Sequence, residues 1–179
     1  LGVNRPSHVF VQAGVGSLAG AVVGYFTNLF PNDPPKFIVM EAQAADCLYR
    51  GALAGDGAPR IVDGDLQTIM AGLACGEPNT ISWDILKNHV KVFIAAPDWV
   101  AANGMRMLAA PIKGDASITS GESGAAPFGA LAAMTTLDKY EQLKKDIGLD
   151  ENSRVLLFST EGDTDPDRYK NIVWKGLDK

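Results

Sequence analysis

The stretch HVFVQAGVGSLAG at residues 8–20 decides the predicted fold, because it passes from an apolar run through a glycine turn into a helical pattern. It predicts a strand over residues 8–13 and a helix over residues 17–30. Glycine permits a tight turn here, and the first backbone N–H groups of a helix have no partner within it. The helix dipole favours an anion at the same place, and the hydroxyl of Ser17 adds a donor. The stretch therefore predicts either a phosphate-binding loop or a plain strand-to-helix turn.

The alternation of strand and helix continues along the chain. Further strands are predicted over residues 36–41, 92–95, 117–119 and 154–159. Further helices are predicted over residues 44–54, 65–74, 83–90, 97–108, 125–134, 137–147 and 165–174. Gly55 is predicted to close the helix 44–54, and Ser82 is predicted to be the N-cap of the helix 83–90. Strands that are apolar throughout and alternate with helices are typical of parallel sheets. We therefore expect one α/β domain, an open and mostly parallel sheet with helices on both faces.

Composition narrows the classes of partner. The length of 179 residues and the hydrophobic content of 46% suit one globular domain. No apolar run reaches the roughly 18 residues that a membrane span needs, and the net charge of −5 comes without the clustered Lys and Arg that nucleic acid requires. We therefore expect neither a membrane nor nucleic acid as a partner. Cys47 and Cys75 lack a metal-ligand spacing, so no metal is expected, and they are predicted as buried apolar residues or as one disulfide.

Two further segments place small and polar residues between a predicted strand and a helix. The segment STEGDTD at residues 159–165 follows the last strand, and ligands of open α/β sheets bind at the carboxyl edge of the strands. A hydroxyl there can bond a heteroaromatic nitrogen without forcing its protonation, whereas Asp163 and Asp165 also suit a turn and a helix cap. The segment SGESGAA at residues 120–126 predicts a pocket wall or simply the start of a helix.

A rival interpretation of the glycine loop remains open on spacing alone. The pattern Gly14-x-Gly16-x-x-x-Gly20 approximates a dinucleotide-binding fingerprint, and Glu41 ends the next predicted strand at the separation typical of a ribose-binding acid. The alternative function is therefore a Rossmann-like nucleotide-binding module that uses this loop and Glu41.

Taken together, the motifs resemble the fold-type II pyridoxal-phosphate enzymes, the group that contains tryptophan synthase β chains, serine and threonine dehydratases and cysteine synthases. Within that group, the chain is similar to the ammonia-lyases that act on 2,3-diaminopropionate. The resemblance covers nearly the whole chain, through the segments HVFVQAGVGSLAGAVVGYF, FIVMEAQAADCLYRGA, TIMAGLACGEPNTISWDIL, SGESGA and RVLLFSTEGDTDPDRY.

The resemblance implies which residues bind pyridoxal 5′-phosphate. The cup for the cofactor phosphate would consist of Gly14, Val15, Gly16, Ser17 and Leu18. Ser159 matches the partner of the ring nitrogen, with the adjacent Thr160 as the second candidate. Glu122 matches the acid of the dehydratases' Glu-x-x-Gly-Ala segment only loosely, because one residue fewer separates it from Gly124 and Ala125.

The resemblance also implies that the catalytic lysine lies outside this sequence. Family members hold the cofactor as a Schiff base to a lysine far upstream of the glycine loop, whereas Lys36, Lys91 and Lys113 all follow the loop and are predicted to lie at the surface. No catalytic residue is therefore expected in this chain. The chain begins with Leu1-Gly2-Val3 and without Met, so residues 1–179 are predicted to be the carboxyl-terminal part of the cofactor-binding large domain, without its upstream half.

The implied reaction is α,β-elimination of a small amino-acid substrate, 2,3-diaminopropionate, to pyruvate and ammonia. This chain would carry it out only together with the missing half and would be inactive alone. The resemblance further implies a homodimer, and the absence of a signal sequence favours a cytoplasmic location.

Overall fold

The structure, a computed structural model, describes residues 5–178. Its strands are β1 His8–Gln12, β2 Lys36–Ala42, β3 Val90–Ala96 and β4 Val155–Leu157. Its helices are α1 Ser17–Leu29, α2 Cys47–Ala54, α3 Thr80–His89, α4 Asp98–Ala109, α5 Glu122–Thr136, α6 Glu141–Ile147 and α7 Pro166–Val173. Single 3₁₀ turns occupy Gln43–Ala45, Ala71–Leu73 and Asp138–Tyr140.

The four strands form one parallel sheet in the order β3-β2-β1-β4. In its centre, Phe10 of β1 lies opposite Ile38 of β2 on one side and Leu157 of β4 on the other. Because all strands run in the same direction, their carboxyl ends meet at one edge of the sheet. The segment after β4 therefore lies beside the glycine loop after β1, although the two are far apart in sequence.

Helices cover both faces of the sheet, as the apolar strands predict. Side chains alternate between the faces of a strand, so a strand that is buried at every position needs a layer on each side. Val9 and Val11 of β1 pack in one apolar cluster with Trp83 of α3 and with residues of α1. Phe10 points to the opposite face, where it packs in a cluster with Met134 of α5. The predicted α/β architecture is thereby confirmed.

The helix predicted over residues 65–74 is wrong, because that segment is irregular apart from the 3₁₀ turn Ala71–Leu73. Leu66 has a positive φ of 51°, which an α-helix does not accept. Thr68 Oγ1 and the backbone N–H of Ile69 both donate to the carboxylate of Asp98, at the start of α4. A carboxylate that is distant in sequence thus takes the backbone N–H of Ile69, which a helix over residues 65–74 would have used.

The strand predicted over residues 117–119 is also wrong. The N–H of Ile118 donates to the carbonyl of Leu108, and Ser117 Oγ donates to the carbonyl of Ala109. These bonds satisfy carbonyl groups at the end of α4, which have no partner within the helix. The segment therefore closes a helix and adds no strand to the sheet.

The predicted N-cap of α3 is wrong by three residues. Asn79 is the N-cap, and its Oδ1 accepts from the N–H of Ser82 at 2.9 Å. Ser82 lies inside the helix, where α1 crosses close by. A Cβ atom added to Gly20 would lie 2.8 Å from Ser82 Oγ, so Gly20 serves helix packing at this point.

Candidate functional site

A cavity of about 260 Å³ lies at the carboxyl edge of the sheet, where β1 and β4 end side by side. Four segments line it: the loop from β1 to α1, the 3₁₀ turn with Cys75 behind it, the start of α5, and the residues after β4. The cavity therefore collects all three motifs that the sequence singles out, at the edge where ligands of open α/β sheets bind.

The N-terminus of α1 supplies unpaired backbone donors to this cavity. Gly16 is the N-cap, with φ of 93°, and no side chain caps the helix. The first bond of the helix runs from the N–H of Gly20 to the carbonyl of Gly16, at 2.7 Å. The N–H groups of Ser17 and Leu18 thus remain free of intrahelical partners. No acidic residue stands in the first turn, so an anion meets no like charge there.

Glycine is required twice in this loop for different reasons. At Gly14 an added Cβ would lie 3.1 Å from the carbonyl oxygen of Gly72 and 3.3 Å from Cys75 Sγ, so a side chain would crowd the wall of the cavity. At Gly16 the backbone lies in the left-handed region, which other residues rarely adopt. The five residues predicted as a phosphate cup, 14–18, all line the cavity.

Thr160 lines the opposite side of the cavity and is held by Gln12. The side-chain amide of Gln12 donates from Nε2 to Thr160 Oγ1 at 2.7 Å and to the carbonyl of Phe158 at 3.1 Å. Gln12 is a residue that the sequence reasoning missed. The available signal was an amide side chain inside an otherwise apolar buried strand, since a buried polar group needs a partner.

Ser159 and Glu122 are placed elsewhere. Ser159 does not line the cavity, and its hydroxyl donates to Ser120 Oγ at 2.9 Å. Glu122 forms an ion pair with Arg168, with 3.2 Å between Oε1 and Nε, also away from the cavity lining. Partial burial raises the pKa of Glu122. The acid that does line the cavity is Glu161.

Two buried oxygen atoms of cavity-lining residues have no hydrogen-bond partner within residues 5–178, namely Oε1 of Gln12 and Oγ of Ser123. Such atoms are uncommon in folded proteins, because desolvation without a partner costs about 1–3 kcal/mol. A ligand with polar groups would supply partners for them. The lining therefore fits a polar, phosphorylated molecule better than an apolar one.

The rival ribose-binding role of Glu41 is not supported. Its side chain is fully buried, Oε1 accepts from the N–H of Leu48 at 2.9 Å, and Oε2 accepts from the N–H of Tyr49 at 2.7 Å. Burial raises the pKa of Glu41 to about 8. Both oxygens are therefore occupied within the first turn of α2, and Glu41 has no open path to a nucleotide.

Neither a disulfide nor a lysine occurs among the described residues that line the cavity. Cys47 and Cys75 are both free thiols, so the predicted disulfide is absent. Cys47 is buried, and burial raises its pKa to about 12, whereas Cys75 lines the cavity. Among the residues that line the cavity in the described range there is no lysine. Lys36, instead, donates to the carbonyl of Ile147.

Residues 5–178 hold neither a metal-binding cluster nor a membrane-spanning helix. No group of three or more His, Cys, Asp and Glu side chains in this range converges to hold a metal ion. None of the helices in the same range combines the length and apolar content that crossing a membrane needs.

Comparisons with known proteins agree on one family. The sequence profile described as "Pyridoxal-phosphate dependent enzyme" matches residues 1–160. Diaminopropionate ammonia-lyase from Salmonella typhimurium is 51% identical over 172 residues, and the match covers 96% of this chain. The enzyme of the same name from Escherichia coli K12 is 46% identical over 171 residues, again across 96% of this chain.

A solved structure gives the same relationship in three dimensions. Diaminopropionate ammonia-lyase from Escherichia coli, in complex with an aminoacrylate-PLP azomethine reaction intermediate, matches 99% of this chain with a TM-score of 0.88 and 44% identity. The match covers 44% of that chain, and the Salmonella and Escherichia coli sequences are covered to 43% and 42%. The chain thus spans less than half of the length of these relatives.

Proposed function

The chain belongs to the family of pyridoxal-phosphate dependent enzymes, and we propose that it forms the phosphate- and ring-binding part of an ammonia-lyase acting on 2,3-diaminopropionate. The observation that carries the proposal is the free N-terminus of α1, whose first residues line the same cavity as Thr160. Relatives of 51% and 46% identity bear the name of that enzyme, which supports the choice of substrate.

The phosphate of pyridoxal 5′-phosphate binds at the loop of residues 14–18. The backbone N–H groups of Ser17 and Leu18 donate to its oxygens, and the hydroxyl of Ser17 adds a donor at the same end of α1. The absence of a side chain at Gly14 lets the ligand approach the backbone closely. The support for this assignment is the set of free donors and the lack of acidic residues in the first turn.

The ring nitrogen of the cofactor binds at the residues after β4. Thr160 lines the cavity and offers a neutral hydroxyl, with Ser159 as the neighbouring candidate. A neutral hydroxyl leaves the nitrogen unprotonated, so the ring withdraws electrons less strongly than a protonated ring. This property suits elimination and limits side reactions.

In the proposed reaction, pyridoxal 5′-phosphate supplies an electron sink for the pair left at the α carbon of the substrate. The residues of this chain hold the phosphate, orient the ring and close one side of the cavity. Orientation alone contributes to catalysis, because a fixed geometry removes part of the entropic cost of the reaction. The products are pyruvate and ammonia.

The catalytic lysine, and the acid and base residues, belong to the part of the relatives that this chain does not match. In this proposal, residues 1–179 are the carboxyl-terminal part of the large domain, and the chain alone is inactive. The lack of any lysine among the described cavity-lining residues supports it. Glu122 pairs with Arg168 away from the cavity lining, so the proposal does not include it among the residues that contact the cofactor. We further propose that the intact enzyme is a cytoplasmic homodimer, and this part of the proposal rests on the family resemblance.

A chimera tests the activity. This chain replaces the matched 43% of the Salmonella enzyme, and the purified protein is loaded with pyridoxal 5′-phosphate and given 2,3-diaminopropionate. Release of pyruvate and ammonia is the expected result. The unaltered Salmonella enzyme, purified and loaded in the same way, is the control for handling and folding. A folded, cofactor-loaded chimera that releases neither product would refute the proposed reaction.

A further inference from the structure

The amide of Gln12 is the element that fixes the hydroxyl side of the cavity. Gln12 is 2% exposed, and its Nε2 donates both to the carbonyl of Phe158 and to Oγ1 of Thr160, at 3.1 and 2.7 Å. A carbonyl oxygen can only accept, so the contact with Phe158 determines which end of the amide carries the hydrogens. The orientation of the amide, and with it the donor to Thr160, follows from that single contact.

The amide of Gln12 therefore determines how the hydroxyl of Thr160 can form hydrogen bonds. Its oxygen accepts from Gln12, so its own hydrogen remains available to a further acceptor. No acceptor for that hydrogen occurs within residues 5–178, and Thr160 lines the cavity. The hydroxyl of Ser159 differs, because it donates to Ser120 Oγ and is therefore already used.

We infer that Gln12 is a positioning residue that holds Thr160 as the hydrogen-bond donor to the ring nitrogen of the bound ligand. The assignment rests on the proposed pyridoxal phosphate site. It gives Thr160 the contact for which the resemblance offers Ser159 first. It also explains why an amide, rather than an apolar side chain, ends β1.

A carboxylate at position 12 would reverse the direction of the hydrogen bond between that side chain and Thr160. It has no hydrogens when ionised, so it would repel the carbonyl of Phe158 and accept the hydrogen of Thr160. The hydroxyl would then point away from the ligand. Gln12→Glu is therefore the substitution that separates positioning from simple space filling, because the two side chains have nearly the same size.

The probe is pyridoxine 5′-phosphate with a ¹⁵N-labelled ring, bound to the purified chimera with the Salmonella enzyme, in which residues 1–179 are the wild-type or the substituted chain. It has the phosphate and ring of the cofactor but an alcohol in place of the aldehyde, so it cannot form imines with surface lysines. The ¹⁵N resonance reports whether the nitrogen is free, hydrogen-bonded or protonated. The ³¹P resonance reports separately on binding at the loop of residues 14–18.

In the wild-type chain we expect a hydrogen-bonded, unprotonated nitrogen whose resonance does not change over the pH range in which the free ligand titrates. Thr160→Val and Gln12→Glu should restore titration of the nitrogen while the ³¹P signal of bound phosphate persists. Thr160→Ser, which keeps the hydroxyl, should behave as wild type, and so should Ser159→Ala. Gln12→Met, which removes the amide without adding charge, should also restore titration and covers the case in which Gln12→Glu does not fold.

Three results would overturn the inference, each in a distinct way. If Ser159→Ala restores titration and Thr160→Val does not, Ser159 is the donor. If the Gln12 variants that fold leave the ¹⁵N resonance unchanged, Gln12 has no positioning role. If the wild-type chain gives no bound ³¹P signal, the proposed cofactor site itself fails, and the inference fails with it.

Discussion

The carboxylate of Glu161 lies 2.6 Å from the backbone nitrogen of Ser123 and accepts its hydrogen, so the segment after β4 caps the N-terminus of α5. The N–H of Gly124 donates to the same oxygen at 3.1 Å. Two helices begin at the cavity, and this contact neutralises the free donors of one of them. Of these two helices, α1 alone keeps its N-terminus open, so the loop of residues 14–18 is the end that favours an anion.

Removal of this cap should destabilise the chain. We expect Glu161→Ala to lower the free energy of unfolding by about 1 kcal/mol, because two N–H groups of α5 lose their acceptor. Urea denaturation followed by circular dichroism measures the change. The exposed Glu151 offers the control, and Glu151→Ala should leave the midpoint in place. Equal stability of the two variants would show that the cap contributes nothing.

Among the glycines with positive φ, Gly16 and Gly57 form a matched pair that tests the predicted phosphate site. Both have left-handed backbone, with φ of 93° and 77°, but nothing lies within 4 Å of a Cβ added to Gly57. Each change to alanine should cost about 1 kcal/mol of stability. Only Gly16→Ala should also weaken binding of pyridoxine 5′-phosphate, by about tenfold or more, measured by ³¹P titration. Similar affinities in the two variants would contradict the predicted phosphate cup.

Ligand binding should protect Cys75 from alkylation. Cys75 lines the cavity beside Gly14, whereas Cys47 is buried and has a pKa raised to about 12 by that burial. N-ethylmaleimide should therefore label Cys75 first, and saturating pyridoxine 5′-phosphate should slow that labelling several-fold. Peptide mass spectrometry distinguishes the two sites. Labelling of Cys75 at the same rate with and without ligand would place the ligand elsewhere.

Glu41 should make stability depend on pH. Its pKa is raised from 4.5 to about 8 by burial, so the protonated form is favoured in the folded chain. Its contribution is therefore complete below pH 4.5 and is lost as the pH rises through 8. Urea unfolding of wild type and Glu41→Gln at pH 5 and pH 8.5 measures the effect. We expect the wild type to lose more stability across that interval than the variant, and parallel losses would refute the assignment.

Local pattern predicted β1, β2 and β3 because each contains an uninterrupted apolar run, at residues 9–11, 37–40 and 92–96. The same method failed at residues 65–74, where the pattern suits a helix. There the donors of Thr68 and Ile69 go to the carboxylate of Asp98, 30 and 29 residues further along the chain. A window of neighbouring residues contains no information about such an acceptor.

The residues of the candidate site also fall into two groups, those that local sequence predicts and those that only tertiary packing places. The loop of residues 14–18 was predictable, since a strand, glycines and a helix in succession bring free N–H groups together by local geometry alone. The acid that lines the cavity was not predictable from the SGESGA segment. Glu122 of that segment pairs with Arg168, and Glu161 lines the cavity instead. Both carboxylates lie near the start of α5, and only packing decides which of them lines the cavity.

By itself, the sequence determined the parallel sheet with helices on both faces, the glycine loop between β1 and α1 and the family resemblance, because these depend on local periodicity and on contiguous motifs. The tertiary structure alone decided that Gln12 holds Thr160, although 148 residues separate them. That contact exists because β4 pairs in parallel with β1, which brings the ends of both strands to one edge. Strand order is set by the burial of the whole sheet, and no single segment of the chain encodes it.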